Sequence, residues 1–302
     1  MSSVLSKGTL FPEQLTNELI NLVRGKSSLA RLSQAAPIPF NGEREFIFNF
    51  DKEADLVAEN GAKSNGGATI TPVTITPVKI EYGMRVSDEF KYAAESIQLQ
   101  YLRAFAEGFA SKAARALDIM AFHGVNPRTG NAASILSDKN FDALVLQTVD
   151  YDATAPQDNV TAAVDLIQAN EHDVTGMAIS PAFKSALASV KQGTTSNVPL
   201  FPELGWGRDV QSVNGLPTDS NSTVSFNSSA DKAIIGNFAD FFKWGFAREI
   251  PLEVIEYGNP DNDVDAGDLK GHNQIYLRGE AYLGWGILVP EAFAIVKSGI
   301  SG

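Results

Sequence analysis

Residues 68–123 read ATITPVTITPVKIEYGMRVSDEFKYAAESIQLQYLRAFAEGFASKAARALDIMAFH, and the apolar period changes inside them from that of a strand to that of a helix. In the first part Val78, Ile80, Tyr82, Met84 and Val86 alternate with Lys79, Glu81, Gly83 and Arg85, a period of two. In the second part Phe90, Ala93, Ile97, Tyr101, Phe105, Phe109, Ala113, Leu117 and Met120 recur at three- and four-residue spacings, one face of an α-helix. Ser87 or Asp88 is placed to cap the start of that helix, and Gly124 to end it. The spacing predicts about 36 helical residues, roughly 54 Å of rod at the α-helical rise. Gly108 costs such a helix about 1 kcal/mol relative to alanine.

Upstream of the helix, Pro72 and Pro77 cannot donate to a strand ladder, so this part belongs on a sheet edge or a projecting hairpin. Phe46, Phe48 and Phe50 alternate as well. Between the two runs lies DLVAENGAKSNGGATI, with turn signals at Asn60-Gly61 and Asn65-Gly66-Gly67. The stretch from Asn41 to Val86 therefore reads as a long two-stranded excursion with a flexible tip. Such a ribbon is marginal in water by itself and needs another surface, for which a neighbouring subunit is the natural candidate.

Composition narrows the classes. The 302 residues are enough to bury a sizeable core, and 44% hydrophobic with 20% charged content is globular. Zero cysteines exclude a disulfide framework, a thiol nucleophile and thiolate metal sites. No apolar run reaches membrane-spanning length; the best, GWGILVPEAFAIV, is broken by Pro290 and Glu291. The N-terminus lacks the apolar block of a secretory signal. A net charge of -12 argues against binding nucleic acid through the bulk surface, although a negative inner wall suits a protein that encloses it without sticking.

Along the chain, PEQLTNELINLVRG reads as a short helix closed by Gly25, and Pro37 and Pro39 force an extended connection after it. DNVTAAVDLIQANEHD is a helix, MAISPAFKSALASVKQ a strand and a helix, and AIIGNF and IPLEVIEY are strands. The end, QIYLRGEAYLGWGILVPEAFAIV, reads as strands joined through a proline-containing turn. Strands and helices come in blocks without βαβ alternation, which is the α+β class.

Catalytic signatures are missing. His123, His172 and His272 are scattered without metal-ligand spacing and read as surface or helix-end residues. There is no phosphate-binding glycine loop and no G-x-S-x-G elbow. NPDNDVDAGDLKGH imitates a calcium loop through Asp261, Asp263 and Asp265. It has Ala266 where that loop needs glycine and His272 where it needs a bidentate glutamate, so it reads as a solvated acidic loop. The aromatic stretches FADFFKWGF and LFPELGWG read as packing surface. Neither a cofactor nor a metal is expected.

The order of these pieces resembles a known family. GTLFPEQLTNELI, LVAENGAK, TPVTITPVKIEYGMRVSDEF, ISPAFKSAL, FPELGWGRDVQSVNGLPT and IYLRGEAYLGWGILVPEAFAIV together resemble the major capsid proteins of tailed bacteriophages, the Hong Kong 97-type fold, over essentially the whole chain. The resemblance implies an N-terminal arm over 1–40, an extended loop over 41–86, a peripheral domain with its spine helix over 87–158, an axial domain over 159–246, and returning strands over 247–302. It implies hexamers and pentamers closing an icosahedral shell around double-stranded DNA. It also implies a portal, and a scaffolding or decoration protein, as further partners; because the arm begins directly after Met1, where family members often carry a cleaved scaffolding region, assembly would need either a separate scaffolding protein or the arm itself. The virion would be its location and the host cytoplasm its place of assembly. Some capsids of this fold are joined by a self-catalysed lysine–asparagine isopeptide bond. By resemblance Lys63, in the A-E-x-x-x-K pattern begun by Ala58 and Glu59, would be the nucleophile, Asn273 its target and Glu280 the proton acceptor. Two alternatives stand beside this reading. One is an encapsulin-type nanocompartment shell of the same fold, against which the long N-terminal arm counts. The other is an α+β enzyme, for which no cluster of catalytic residues is on display.

Overall fold

The computed structural model describes residues 26–193, 196–205, 209–248 and 252–299. The helix expected over residues 12–25 lies outside them. In chain order the elements are α1 (Ser28–Leu32), β1 (Glu43–Phe50), β2 (Ala68–Ile75), β3 (Val78–Ser87), α2 (Glu95–His123), α3 (Phe141–Leu144), β4 (Thr148–Asp150), α4 (Pro156–Gln168), β5 (Gly176–Ile179) and α5 (Pro181–Ala188). They continue with β6 (Ser212–Val213), β7 (Leu216–Ser220), β8 (Asp231–Gly236), α6 (Phe238–Phe241), β9 (Phe242–Arg248), β10 (Leu252–Ile255), β11 (Gln274–Ile287) and β12 (Phe293–Lys297).

Three sheets organise these elements. β1 and β2 pair antiparallel as a two-stranded ribbon. β11 is the spine of a second sheet: β3 lines one edge over Gln274–Leu283, while β10 and then β9 take the other edge. The third is a six-stranded mixed sheet in the order β4-β12-β8-β5-β7-β6. Its central strand β5 is buried throughout, as a strand covered on both faces should be. Helices α4 and α5 supply Ala163, Ile167, Phe183 and Leu187 to a core shared with Met177, Ile179, Ala233 and Ile235 of that sheet.

Helix α2 joins the two larger sheets. Its first half lays Leu102 and Phe105 on Ile275 and Leu277 of β11. Its second half runs through the main core and buries Ala113, Ala114, Leu117, Met120, Ala121 and Phe122. The helix ends as the sequence predicts. Gly124 takes a left-handed φ of 63°, which a side chain disfavours, and its N–H donates to the Met120 carbonyl at 3.0 Å.

Two expectations need correction. The helix is 29 residues long and starts at Glu95, not Asp88. Residues Asp88–Tyr92 form a 3-10 turn capped by Ser87, and Ala93 and Ala94 are extended. Alanine is a strong helix former, so local propensity does not explain the break. What compensates it is Gln98, whose side-chain amide donates to the carbonyls of Lys91 and Ala93 at 3.0 Å each. Nor do residues 41–86 form one two-stranded excursion. The ribbon is Glu43–Ile75 alone, while Val78–Ser87 crosses Pro77 and pairs with β11. Both parts keep to edges: Pro72 faces Phe46 in the ribbon, and β3 is hydrogen-bonded on one side only.

Candidate functional site

The alternation of β1 decides what the ribbon shows to solvent. Glu43, Glu45, Ile47 and Asn49 point one way, and Arg44, Phe46, Phe48 and Phe50 the other. The register places Pro72, Ile70 and Ala68 opposite the three phenylalanines, on their face. That face is apolar and open: Phe46 is 56% exposed, Phe48 55%, Phe50 77% and Ile70 52%. The polar face is the one turned to the body. Lys243 of β9 holds both Glu43, at 3.1 Å, and Glu45.

The root of the ribbon is seated by small residues. Ile75 is fully buried, and a Cβ on Gly286 would come within 2.8 Å of its Cγ1. Gly284 leaves equivalent room for Ile38 and Ile75. The G-W-G run of β11 is thus a socket for the ribbon. A second open apolar surface lies on the other side of the same sheet. It is a groove of about 310 Å³ between β3 and α2, lined by Tyr82, Met84, Tyr101, Phe105 and Phe109 with Lys112 at its rim. Ile97, Leu99 and Tyr92 add exposed apolar area at the start of α2.

Within one subunit the structure does not bring Lys63, Asn273 and Glu280 together. Lys63 lies exposed in the segment between the ribbon strands. Asn273 precedes β11 in a left-handed conformation, φ 53°, and its carbonyl accepts from Asp88 N–H at 2.8 Å. Glu280 is seven residues further along β11, roughly 23 Å away at the rise of a strand. Its carboxylate is engaged by Lys79 at 2.6 Å and Arg278 at 3.4 Å. The Lys79 ammonium is held above its ordinary pKa, chiefly by that Glu280 hydrogen bond.

The calcium-like loop is built around a guanidinium. Arg85 of β3 reaches into it and donates to both oxygens of Asp261 at 2.8 and 2.6 Å, to Asn259 Oδ1 at 2.7 Å, and to the carbonyls of Ala266 and Gly267 at 3.1 and 2.9 Å. The Arg85 hydrogen bond pulls the Asp261 carboxyl down to about 2. The alternating pattern of β3 places Arg85 beside neighbours on that strand, but it gives no sign of a partner nearly two hundred residues away.

Two polar clusters, one buried and one partly open, escape sequence reasoning altogether. Asp118 of α2 is completely buried. It accepts from the Ser27 hydroxyl, from Ser28 N–H at 2.9 Å, Leu29 N–H at 3.2 Å and the Thr223 hydroxyl at 2.9 Å. Burial pushes its carboxyl up to about 6 against the pull of these four donors. Together with Arg31, which donates to Asp219 at 2.6 Å, Asp118 fastens α1 to the body. The second cluster joins His123, Asp142, Asp231 and Lys297, from α2, α3, β8 and β12. His123 Nδ1 lies 2.8 Å from Asp142 Oδ2, and His123 Nε2 lies 2.9 Å from the Thr223 carbonyl. Burial lowers the imidazole pKa, but the Asp142 hydrogen bond and the surrounding carboxylates carry it above the ordinary value. The expectation that His123 sits at a helix end is met; its company is not foreseeable from spacing. The aromatic stretch at 238–246 is packing surface as expected, with Phe238, Phe242 and Trp244 buried.

A ribbon showing its apolar face to solvent and a long helix bridging two sheets belong to a subunit that completes itself against its neighbours. With no catalytic constellation needed to explain them, these features define a shell-forming structural protein. The chain belongs to the Phage capsid family, whose model matches residues 7–298. A solved structure from Mycobacterium phage Ogopogo is 32% identical, with a TM-score of 0.76, covering 91% of this chain and 92% of the other. One from Gordonia phage Cozz is 21% identical, with a TM-score of 0.70 and coverage of 91% and 87%. The capsid of an empty GTA particle shares the fold at 12% identity, with a TM-score of 0.60 and 90% coverage of both chains. No curated protein matches the chain. The protein is a major capsid protein with the α+β Hong Kong 97-type fold, which assembles with copies of itself into a shell and resides in the virion. Among the described residues no helix is long and apolar enough to cross a membrane.

Proposed function

We propose that the subunits form hexamers and pentamers of an icosahedral head around the double-stranded DNA genome of a tailed phage, with each ribbon lying across a neighbouring subunit. The observation that carries this reading is the outward apolar face of Phe46, Phe48, Phe50 and Ile70. Burying one such ring is worth about 1.5–3 kcal/mol, and among the described residues each of these side chains stays more than half exposed. The sheet of β11 and helix α2 would form the peripheral domain, and the six-stranded sheet with α4 and α5 the axial domain. The net charge of -12 supports enclosure of DNA without tight binding. Portal and scaffolding or decoration proteins would be the remaining partners, with assembly in the host cytoplasm. Cryo-electron microscopy of the purified shell tests the reading. It should show the ribbon of one subunit over the next, whereas ribbons folded back on their own subunit would contradict it.

We also propose a covalent joint between subunits, with Lys63 of one subunit attacking the Asn273 carboxamide of another. An amide forms and ammonia leaves. Glu280 of a nearby subunit would take the amine proton. The exposure of Lys63 at the ribbon tip supports its part. Glu280 must exchange its present partner Lys79 for that proton, which makes its part the more demanding one.

A further inference from the structure

We propose that His123, Asp142 and Asp231 form a site for one borderline divalent transition-metal ion, of the zinc class, where α2, α3 and β8 meet. The first observation is convergence. One ligand atom from each residue, an imidazole nitrogen or a carboxylate oxygen, lies within 4.8 Å of the other two. The Thr223 backbone carbonyl can only accept, so the ring nitrogen facing it at 2.9 Å, Nε2, carries a hydrogen. In the neutral ring this leaves the Nδ1 lone pair aimed at two carboxylate oxygens. Three electron-rich atoms pointed at one another need a positive charge between them, which either a second ring proton on Nδ1 or a metal ion supplies. A second hydrogen bond from the far ring nitrogen to a backbone carbonyl is also how metal-binding histidines are usually oriented.

The second observation is an unanswered acceptor. Asp231 is 1% exposed, and its Oδ2 has no hydrogen-bond partner, although it lies 3.4 Å from His123 Nδ1. A buried carboxylate oxygen left without a donor costs about 1–3 kcal/mol or more. Lys297 does not answer it. Its ammonium sits on the other oxygens, 2.7 Å from Asp142 Oδ1 and 3.4 Å from Asp231 Oδ1. Lys297 therefore holds the backs of both carboxylates and turns their Oδ2 atoms toward the histidine.

The spacings suit a metal of the zinc class. Ligands about 2.0–2.1 Å from an ion lie about 2.9 Å apart at right angles and about 3.4 Å apart at tetrahedral angles. The separations of 2.8 and 3.4 Å from Nδ1 to the two carboxylate oxygens span that range. One nitrogen and two oxygens suit zinc or manganese better than calcium, which takes six to eight oxygens. Asp142 is the most open of the three at 29% exposure, which provides an entry side and room for water as a further ligand. Bound there, the ion would pin the C-terminal end of the long helix to the six-stranded sheet.

The test is equilibrium dialysis of the purified shell against zinc after removal of metal with EDTA, with magnesium and calcium as controls. One zinc per chain is expected in the wild type and none at this site in Asp231→Asn. The thermal midpoint should rise with zinc only in the wild type. Equal zinc uptake in wild type and Asp231→Asn would overturn the proposal, as would a wild type that takes up none. If Asp231→Asn does not fold, Asp142→Asn at the open side replaces it. Cobalt then reads the site directly through its visible absorption: a band in the wild type that the variant lacks supports the site, and identical spectra contradict it.

Discussion

Glu280 of β11 holds the Lys79 ammonium of β3 at 2.6 Å, beside its own register partner Glu81. The pairing offsets two like charges that the antiparallel register sets opposite each other. It also occupies the carboxylate that the isopeptide proposal needs as a proton acceptor. The crosslink therefore has a sharp consequence. A boiled, denatured wild-type shell should run as a ladder of linked subunits, and Lys63→Ala should run as monomer. A wild-type gel showing monomer alone contradicts the crosslink and leaves the shell itself untouched.

The aromatic face of the ribbon predicts a separation of folding from assembly. Phe48 is 55% exposed on the ribbon face opposite the Glu43 and Glu45 side chains that Lys243 holds, so Phe48→Asp should leave the circular dichroism spectrum of the subunit unchanged. Its charge would be buried against a neighbour, at a cost of several kcal/mol. Sedimentation should show subunits or small oligomers in place of shells. Full assembly of this variant would show that the face is not an interface.

The socket at the ribbon root makes the opposite prediction. Gly286→Ala places a methyl group against Ile75 and should cost about 1–3 kcal/mol through overpacking. The loss should appear as faster hydrogen exchange in residues 43–75, with the six-stranded sheet unaffected. Unchanged exchange there would mean that Ile75 has room to move.

Asp118 accepts from four donors, two of them backbone N–H groups on different oxygens. In Asp118→Asn either orientation of the amide turns its NH2 toward one of them. A loss of about 1–3 kcal/mol is expected in thermal unfolding. Stability equal to the wild type would mean that α1 is held by Arg31 and Asp219 alone.

Arg85 and Asp261 give a pH prediction with a definite sign. The folded-state pKa of Asp261 is lowered to about 2, below the value of about 4 for an unfolded aspartate. Its stabilising contribution is therefore complete above roughly pH 4 and is lost only as pH falls through about 2. Proteolysis of the 256–273 loop should be equally slow at about pH 5 and at neutral pH in the wild type. Arg85→Ala should be cut quickly at both. A wild-type loop that opens near pH 5 would contradict the clamp.

Where a residue's role is set by its immediate neighbours, the sequence was sufficient. The period of two in Phe46–Phe50, the glycine stop at Gly124 and the Pro181 helix after β5 are local patterns, and the structure follows them. The start of α2 was not legible, because Ala93 and Ala94 favour helix and only the side chain of Gln98 makes their extended form tolerable. The strand partner of Val78–Ser87 was hidden for another reason. A ladder to β11 connects residues about two hundred positions apart, and a strand pattern carries no address. The Asp118 and His123 clusters share this blindness, since the first draws its members from three separate elements or loops and the second from four. The shell reading was legible only through the order of all the pieces.

Sedimentation velocity of the purified protein, with electron micrographs of the same sample, decides whether this chain builds a shell. Closed particles of megadalton mass, built from many copies of this 32.4 kDa chain, are expected. A monodisperse monomer under conditions that leave the subunit folded would contradict the shell reading.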